Sequence, residues 1–137
     1  MFLEEIKKRV LVLDGAMGTS LQALDLSDEV YEGNIGCPEI LNVTVPEKLK
    51  GIHRSYLEAG ADIVETNTFG GSPITLDEYD LGFRCEELNL AAARLAREVA
   101  DEFSTPERPR FVAGAFGPGT KLATLGQISF DTLFEGY

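Results

Sequence analysis

Several features that mark membrane, secreted and nucleic-acid-binding proteins are missing from this sequence. Its longest apolar stretches, such as residues 10–13, fall far short of the roughly 20 residues that a helix needs to cross a bilayer. Residues 1–8 include acids where a signal peptide carries positive charge, and no apolar run of a signal peptide follows them. Only 12 Lys and Arg stand against 23 Asp and Glu, and the formal net charge of -11 disfavours nucleic acid or an anionic membrane surface as a partner. We therefore expect a cytoplasmic protein.

Cysteine and histidine are also scarce. Cys37 and Cys85 lie far apart in no metal-type spacing, so both are expected to be free thiols in a reducing compartment. The one histidine, His53, lies on the apolar stripe of a predicted helix, which favours a hydrogen-bonded structural role over catalysis. A zinc site built from Cys37, His53 and Cys85 is an open alternative, although each falls on a different predicted element.

The sequence does contain an alternation of strand and helix patterns within a length that suits one domain. Short apolar runs predict three strands of a parallel sheet, at residues 9–13, 61–66 and 111–115. Helical periodicity predicts helices from Pro46 to Gly60 and from about Arg84 to Phe103, and a further helix begins near Asp131. Residues 25–45 are irregular and form a long excursion. This order requires parallel pairing with right-handed crossovers, hence an α/β fold.

Asp14, Gly15 and Ala16 directly follow the first predicted strand, where α/β folds place ligand loops. Small residues there let backbone N–H groups approach a carboxylate or a phosphate. The alternative is a tight turn in which glycine is needed only for a positive φ.

Glu65, Thr66, Asn67 and Thr68 occupy the corresponding place after the second strand. One carboxylate, two hydroxyls and an amide are able to hold the ammonium or carboxylate of an amino acid. A capped turn is the alternative explanation. Neither segment offers an evident nucleophile.

Several segments together resemble the homocysteine S-methyltransferase family, and most closely the homocysteine-binding modules of cobalamin-dependent methionine synthases. They are residues 11–19, 38–47 and 56–70, with further support from residues 89–100 and 112–119. The match runs in one order over nearly the whole chain. It implies that residues 1–137 are the N-terminal part, about three βα units, of a (β/α)8 TIM barrel truncated at its C-terminal end. Such a barrel typically takes about 250 residues.

The resemblance also implies a reaction and its cofactors. The family's zinc binds homocysteine as a thiolate, which takes up a methyl group to give methionine, and the loops matching Asp14, Gly15 and Ala16 and Glu65 to Thr68 hold the amino-acid end. The family's three zinc-binding cysteines match no segment of residues 1–137, so we expect no metal ligand here and an inactive N-terminal fragment. Cobalamin on another, corrinoid-carrying module is one methyl donor; a methylated sulfonium and a methylated amine are others.

Two other functions are open at this stage. Three parallel strands leave open edges and apolar surface, which fits a non-catalytic α/β binding or assembly module completed by oligomerisation. A barrel enzyme acting on a phosphorylated substrate through residues 117–121 is weaker, because Thr120 stands where a phosphate loop has its lysine.

Overall fold

The computed structural model describes residues 2–137, and its framework is a small parallel sheet. Strand β1 (Ile63–Glu65) pairs in parallel with β2 (Phe111–Ala113). On the other edge of β1, Leu13 forms a parallel bridge with Ile63, and the Val12 carbonyl accepts the Ile63 N–H. Three parallel segments therefore lie side by side in the predicted order, and the prediction of an α/β fold is confirmed.

The first predicted strand is only partly formed. Leu13 alone pairs as in a strand, whereas Val10 is 86% exposed and Val12 is 54% exposed. The prediction that residues 9–13 form a strand buried on both faces is therefore wrong for the chain as the structure describes it. An apolar run becomes buried only when a second layer covers it, and the exposed side chains show that none of residues 2–137 covers this edge.

The two longest helices contact the strands of the sheet, and residues 2–137 form seven α-helices in all. They are α1 (Phe2–Glu5), α2 (Met17–Gln22), α3 (Leu41–Thr44), α4 (Pro46–Glu58), α5 (Pro73–Leu76), α6 (Cys85–Phe103) and α7 (Phe130–Glu135). The long helices α4 and α6 match their predicted positions. Proline stands at the first position of α4, and Gly60 takes a φ of 110° just beyond its end. None of these helices is long and apolar enough to cross a bilayer.

The C-terminal part of the excursion, from Cys37 to Asn42, is built into the core. The excursion contains two 3₁₀ turns, Asp28–Tyr31 and Pro38–Ile40, before α3. Ile40 and Leu41 are fully buried and belong to the same apolar cluster as residues of α4 and α6. The excursion therefore has a fixed position beside the strand ends.

His53 and the two cysteines lie where the sequence predicted, with one difference. His53 is 1% exposed on α4, and its Nδ1 has no hydrogen-bond partner among residues 2–137, so the prediction of a hydrogen-bonded histidine is wrong for that atom. Burial lowers the pKa of His53 to about 4, which keeps the ring neutral at pH 7. Cys37 and Cys85 are free thiols, as predicted.

A buried ionic cluster ties the amino ends of the three parallel segments together. At its centre is Asp62, 1% exposed, just before β1. Its carboxylate lies 2.9, 3.2 and 3.3 Å from the guanidinium nitrogens of Arg9, Arg108 and Arg110 respectively, and 3.1 Å from the Val12 N–H. Because the chain reaches this point three times, one carboxylate fixes all three segments.

We expect Asp62→Asn to lower the free energy of unfolding by about 3 kcal/mol, because it leaves the buried Arg110 without a counter-charge. Burial opposes ionisation of Asp62, but the hydrogen bond from Arg9, with those from Val12 and Arg108, holds its pKa below the ordinary value of 3.8. A lowered pKa contributes stability that is present above 3.8 and is lost as the pH falls through the folded-state pKa.

Urea unfolding of the chain and of Asp62→Asn, at pH 7 and in acid, measures both the loss of stability caused by the substitution and the loss caused by acid. Asp101→Asn is the matched control, because its ion pair with Arg97 lies on the surface, where such pairs contribute little. Equal unfolding midpoints for the Asp62 and Asp101 variants would show that the cluster does not hold the sheet.

Candidate functional site

A cavity of about 460 Å³ opens at the carboxyl ends of the three parallel segments. Loops that follow all three segments contribute to it, together with the excursion and the turn after α5. Its lining consists of Met17, Gly18, Gly36, Pro38, Glu39, Glu65, Thr66, Asn67, Phe69, Gly70, Thr75, Glu78, Tyr79, Ala115 and Thr120. This is the position at which α/β proteins bind ligands, and the size suits a small molecule.

Asp14 lies at the junction of the first two loops. The Glu65 N–H donates to both of its carboxylate oxygens, at 3.0 and 3.1 Å. Burial, together with the negative charge of Glu65, raises the pKa of Asp14 to about 6 against the lowering effect of the backbone hydrogen bonds. Two carboxyl groups in mutual repulsion form a place where a cation is favoured.

Gly15 and Ala16 continue the first loop and are exposed. Ala16, not a glycine, takes the left-handed conformation there, with φ 37° and ψ 51°. The alternative explanation, that glycine is present only to supply a positive φ, is therefore wrong for this turn. A non-glycine residue held in this region costs about 1 kcal/mol, and such strain often accompanies ligand sites.

Thr66 and Thr68 use their side chains to join the second loop to the third. Their hydroxyls lie 2.6 Å apart. Thr66 Oγ1 accepts the Ala115 N–H at 3.1 Å, and Thr68 donates to the Ala115 carbonyl at 2.8 Å. Thr66 lines the cavity, whereas Thr68 lies outside its lining.

Asn67 joins the second loop to the excursion. It donates to the Pro38 carbonyl at 2.8 Å and to Asn42 Oδ1 at 3.1 Å, and Asn42 donates back to the Asn67 carbonyl at 2.9 Å. Of the seven predicted site residues, the structure thus places Glu65, Thr66 and Asn67 on the cavity, with Asp14, Gly15, Ala16 and Thr68 in the loops beside it.

Sequence reasoning missed Glu39 and Asn42. Glu39 is 4% exposed, lines the cavity and accepts the Gly70 N–H at 2.7 Å. Its partner is 31 positions away, and a contact of that range leaves no periodic signal in one sequence. The only hint was the place of Glu39 in a segment that the family resemblance covers.

The described residues do not fit a zinc site. Among residues 2–137, no group of three or more His, Cys, Asp or Glu side chains is arranged to hold a metal ion. Burial, with the nearby charge of Glu39, raises the pKa of Cys37 to about 11, which opposes the thiolate that zinc requires. The alternative site of Cys37, His53 and Cys85 therefore has no support in this geometry.

Comparison with known proteins identifies the family. Residues 11–137 match the sequence model described as Homocysteine S-methyltransferase. The chain belongs to this family. It is 50% identical over 135 residues to the methionine synthase of Mycobacterium tuberculosis and 48% identical over 135 residues to that of Mycobacterium leprae. Each alignment covers 98% of the chain but only 11% of the relative, so the chain spans a small part of the length of these proteins.

Solved structures show the same fold. The metallated form of the homocysteine methyltransferase MmuM from Escherichia coli superposes with a TM-score of 0.67 at 22% identity, covering 96% of this chain and 42% of that one. Its oxidised form gives a TM-score of 0.65 at 26% identity, covering 82% and 39% respectively. The family predicted from the sequence is confirmed.

We expect Asp14 to titrate near pH 6, and Glu65→Gln to lower its pKa by removing the repulsion between the two side chains. A folded-state pKa above the ordinary 3.8 contributes stability that is complete below 3.8 and is lost as the pH rises through about 6. Carbon-detected NMR titration of the carboxyl groups measures the pKa, with Asp14→Asn to assign the signal. A pKa at or below 3.8 would contradict the burial of this carboxyl.

Proposed function

We propose that this chain forms the homocysteine-binding part of a methionine-synthase-type homocysteine S-methyltransferase, as the N-terminal portion of a (β/α)8 TIM barrel. The observation that supports it is the cavity, which is bounded by loops carrying the motifs that resemble the family. The identity of 50% to a methionine synthase adds to this support. Cavity and motifs meet at the carboxyl ends of the parallel segments, where barrels of this kind bind substrates.

The charges around the cavity suit an amino acid. Glu39, Glu65 and Glu78 line it, and its lining within residues 2–137 includes no Lys, Arg or His. Glu65, with Asp14 beside it, would hold the ammonium group of homocysteine. Exposed backbone at Gly15 and Ala16 would hold its carboxylate. The same acidic lining disfavours a phosphorylated substrate.

In the proposed reaction the homocysteine sulfur forms a bond to the methyl carbon as the bond between that carbon and its donor breaks, which gives methionine. The role of this chain is to bind and orient the amino-acid end. The zinc that the family implies would activate the sulfur when bound, but residues 2–137 do not fit it, so we place its ligands on another part of the protein. We place the methyl donor, cobalamin on a corrinoid-carrying module, there as well, and expect the chain alone to be inactive.

A non-catalytic assembly module is the second candidate, and the exposed apolar surface favours it. Leu13 and Val10 are 46% and 86% exposed at the open edge of the sheet, and Phe2, whose ring packs against Phe111 of β2, is 42% exposed. A second copy of the chain could cover this surface, as could the remainder of a barrel. Sedimentation velocity over a range of concentrations measures the self-association that this candidate requires.

Isothermal titration with L-homocysteine tests the first candidate. We expect binding at pH 7.5 that weakens roughly tenfold in Glu65→Gln, since a hydrogen bond to a charged group is lost, and that weakens as the pH falls through about 6 because protonation neutralises Asp14. An analogue without the ammonium group should not bind. Glu107→Gln is the control, because Glu107 is exposed in the loop that leads into the amino end of β2, away from the cavity. Equal affinity for both variants would falsify the assignment of Glu65.

A further inference from the structure

Glu39 is a buried carboxylate whose neighbours only partly explain its burial. It lies in the 3₁₀ turn Pro38–Ile40 and is 4% exposed. Its Oε1 accepts the Gly70 N–H at 2.7 Å, and its Oε2 accepts the Cys37 thiol at 3.5 Å. Neither donor is a cation, so this carboxylate is retained in the core without a charged partner. A buried charge held in this way is costly.

The contact with Gly70 is so close that a side chain at position 70 would displace the carboxylate. A Cβ on Gly70 would lie 2.9 Å from Glu39 Oε1, which is closer than real side chains approach. The carboxylate therefore lies directly against the backbone of the second loop. A hydrogen bond from a backbone N–H to a carboxylate is roughly twice as strong as one between neutral groups.

Asn42, one helical turn after Glu39, holds the same loop at a second point. Asn42, 2% exposed, exchanges hydrogen bonds with Asn67 through both its amide nitrogen and its amide oxygen. The excursion thus holds the loop at two points, Asn67 and Gly70. Between the two lies Phe69, which lines the cavity and whose carbonyl accepts the Gly117 N–H of the third loop at 3.0 Å.

The Cys37 thiol completes the arrangement. Burial and the charge of Glu39 raise the pKa of Cys37 to about 11, so the thiol keeps its proton at neutral pH and remains a donor. A thiolate would place a second negative charge beside Glu39. The role of the Cys37 thiol is therefore to donate a hydrogen bond to the Glu39 carboxylate.

We infer that Glu39 is a positioning residue, whose carboxylate fixes the Gly70 peptide and thereby the conformation in which Glu65, Thr66 and Asn67 line the cavity. The consequence for homocysteine rests on the proposed function. The effect on the loop itself does not, because it follows from the contacts between Glu39, Gly70 and Cys37.

The experiment compares Glu39→Ala, Glu39→Gln and the control Glu29→Gln, which makes the same change on an exposed residue of the same excursion. Amide hydrogen exchange and the NMR shift of the Gly70 N–H report the contact. The Phe111 N–H, which donates to the Asp62 carbonyl at the amino end of the sheet, is the internal reference. Thermal unfolding of each variant shows that it is folded, and titration with L-homocysteine gives the affinity.

In Glu39→Ala we expect Gly70 exchange to accelerate about tenfold relative to Phe111, and homocysteine affinity to fall about tenfold, as the loss of one charge-assisted hydrogen bond predicts. Glu39→Gln keeps an oxygen for the Gly70 N–H, so it should restore most of the affinity while the Gly70 proton shifts upfield. Glu29→Gln should match the unmodified chain in every measurement.

The outcomes separate this inference from the proposed function. Failure of the unmodified chain to bind homocysteine would contradict the proposed function, and the Gly70 measurements would still decide the role of Glu39. An unchanged Gly70 shift and exchange rate in Glu39→Gln and Glu39→Ala would overturn the inference. A second result would also overturn it: a folded Glu39→Ala variant whose Gly70 amide is unprotected but whose homocysteine affinity is unchanged. The loop would then bind homocysteine without its hydrogen bond to Glu39. If Glu39→Ala does not fold, Glu39→Gln alone decides through the Gly70 shift.

Discussion

The carboxylate of Asp62 gathers three guanidinium groups and a backbone amide at the amino end of the parallel segments, and the rest of the structure depends on that cluster. Each strand pairs over only three residues, so backbone hydrogen bonds alone fix the sheet poorly. Asp14 performs a related task at the carboxyl end, where it accepts the Glu65 N–H. Because the segments are held at both ends, their loops emerge together on one side and border the same cavity.

The loops are in turn held by polar side chains that a solvent-exposed turn would not need. Thr66 and Thr68 join the second loop to the third, and Asn67 and Gly70 join it to the excursion. A ligand site assembled in this way loses little conformational freedom on binding, which favours affinity. These contacts coincide with the buried part of the excursion, residues 37–42, whereas most of residues 25–36 are exposed.

Much of this architecture could be predicted from local patterns. The periodicity of α4 and α6 and the position of β1 and β2 follow from which residues can be buried on one face of a helix or in a short strand. Contacts between distant residues could not be predicted in that way. Glu39 is an acid within the irregular excursion and Gly70 a glycine in a predicted loop, and only the fold places one against the other. Ala16 likewise gives no sign of its left-handed backbone, because alanine usually avoids that conformation.

The prediction that residues 9–13 form a strand buried on both faces was wrong for a different reason, and that reason bears on function. An apolar run correctly indicates that a segment must be covered, but not by which part of a protein. Val10 and Val12 lie exposed beside β1, on the edge where the proposed barrel would continue or where a second copy would dock. The cavity lies at the carboxyl ends of the same segments, and contacts within this chain hold the residues that line it. Under the proposed function, recognition of the amino-acid end is local to these residues, and the ligands that would activate the sulfur lie elsewhere in the protein. That proposal reconciles the absence of a fitting metal site in residues 2–137 with the match to a methyltransferase family.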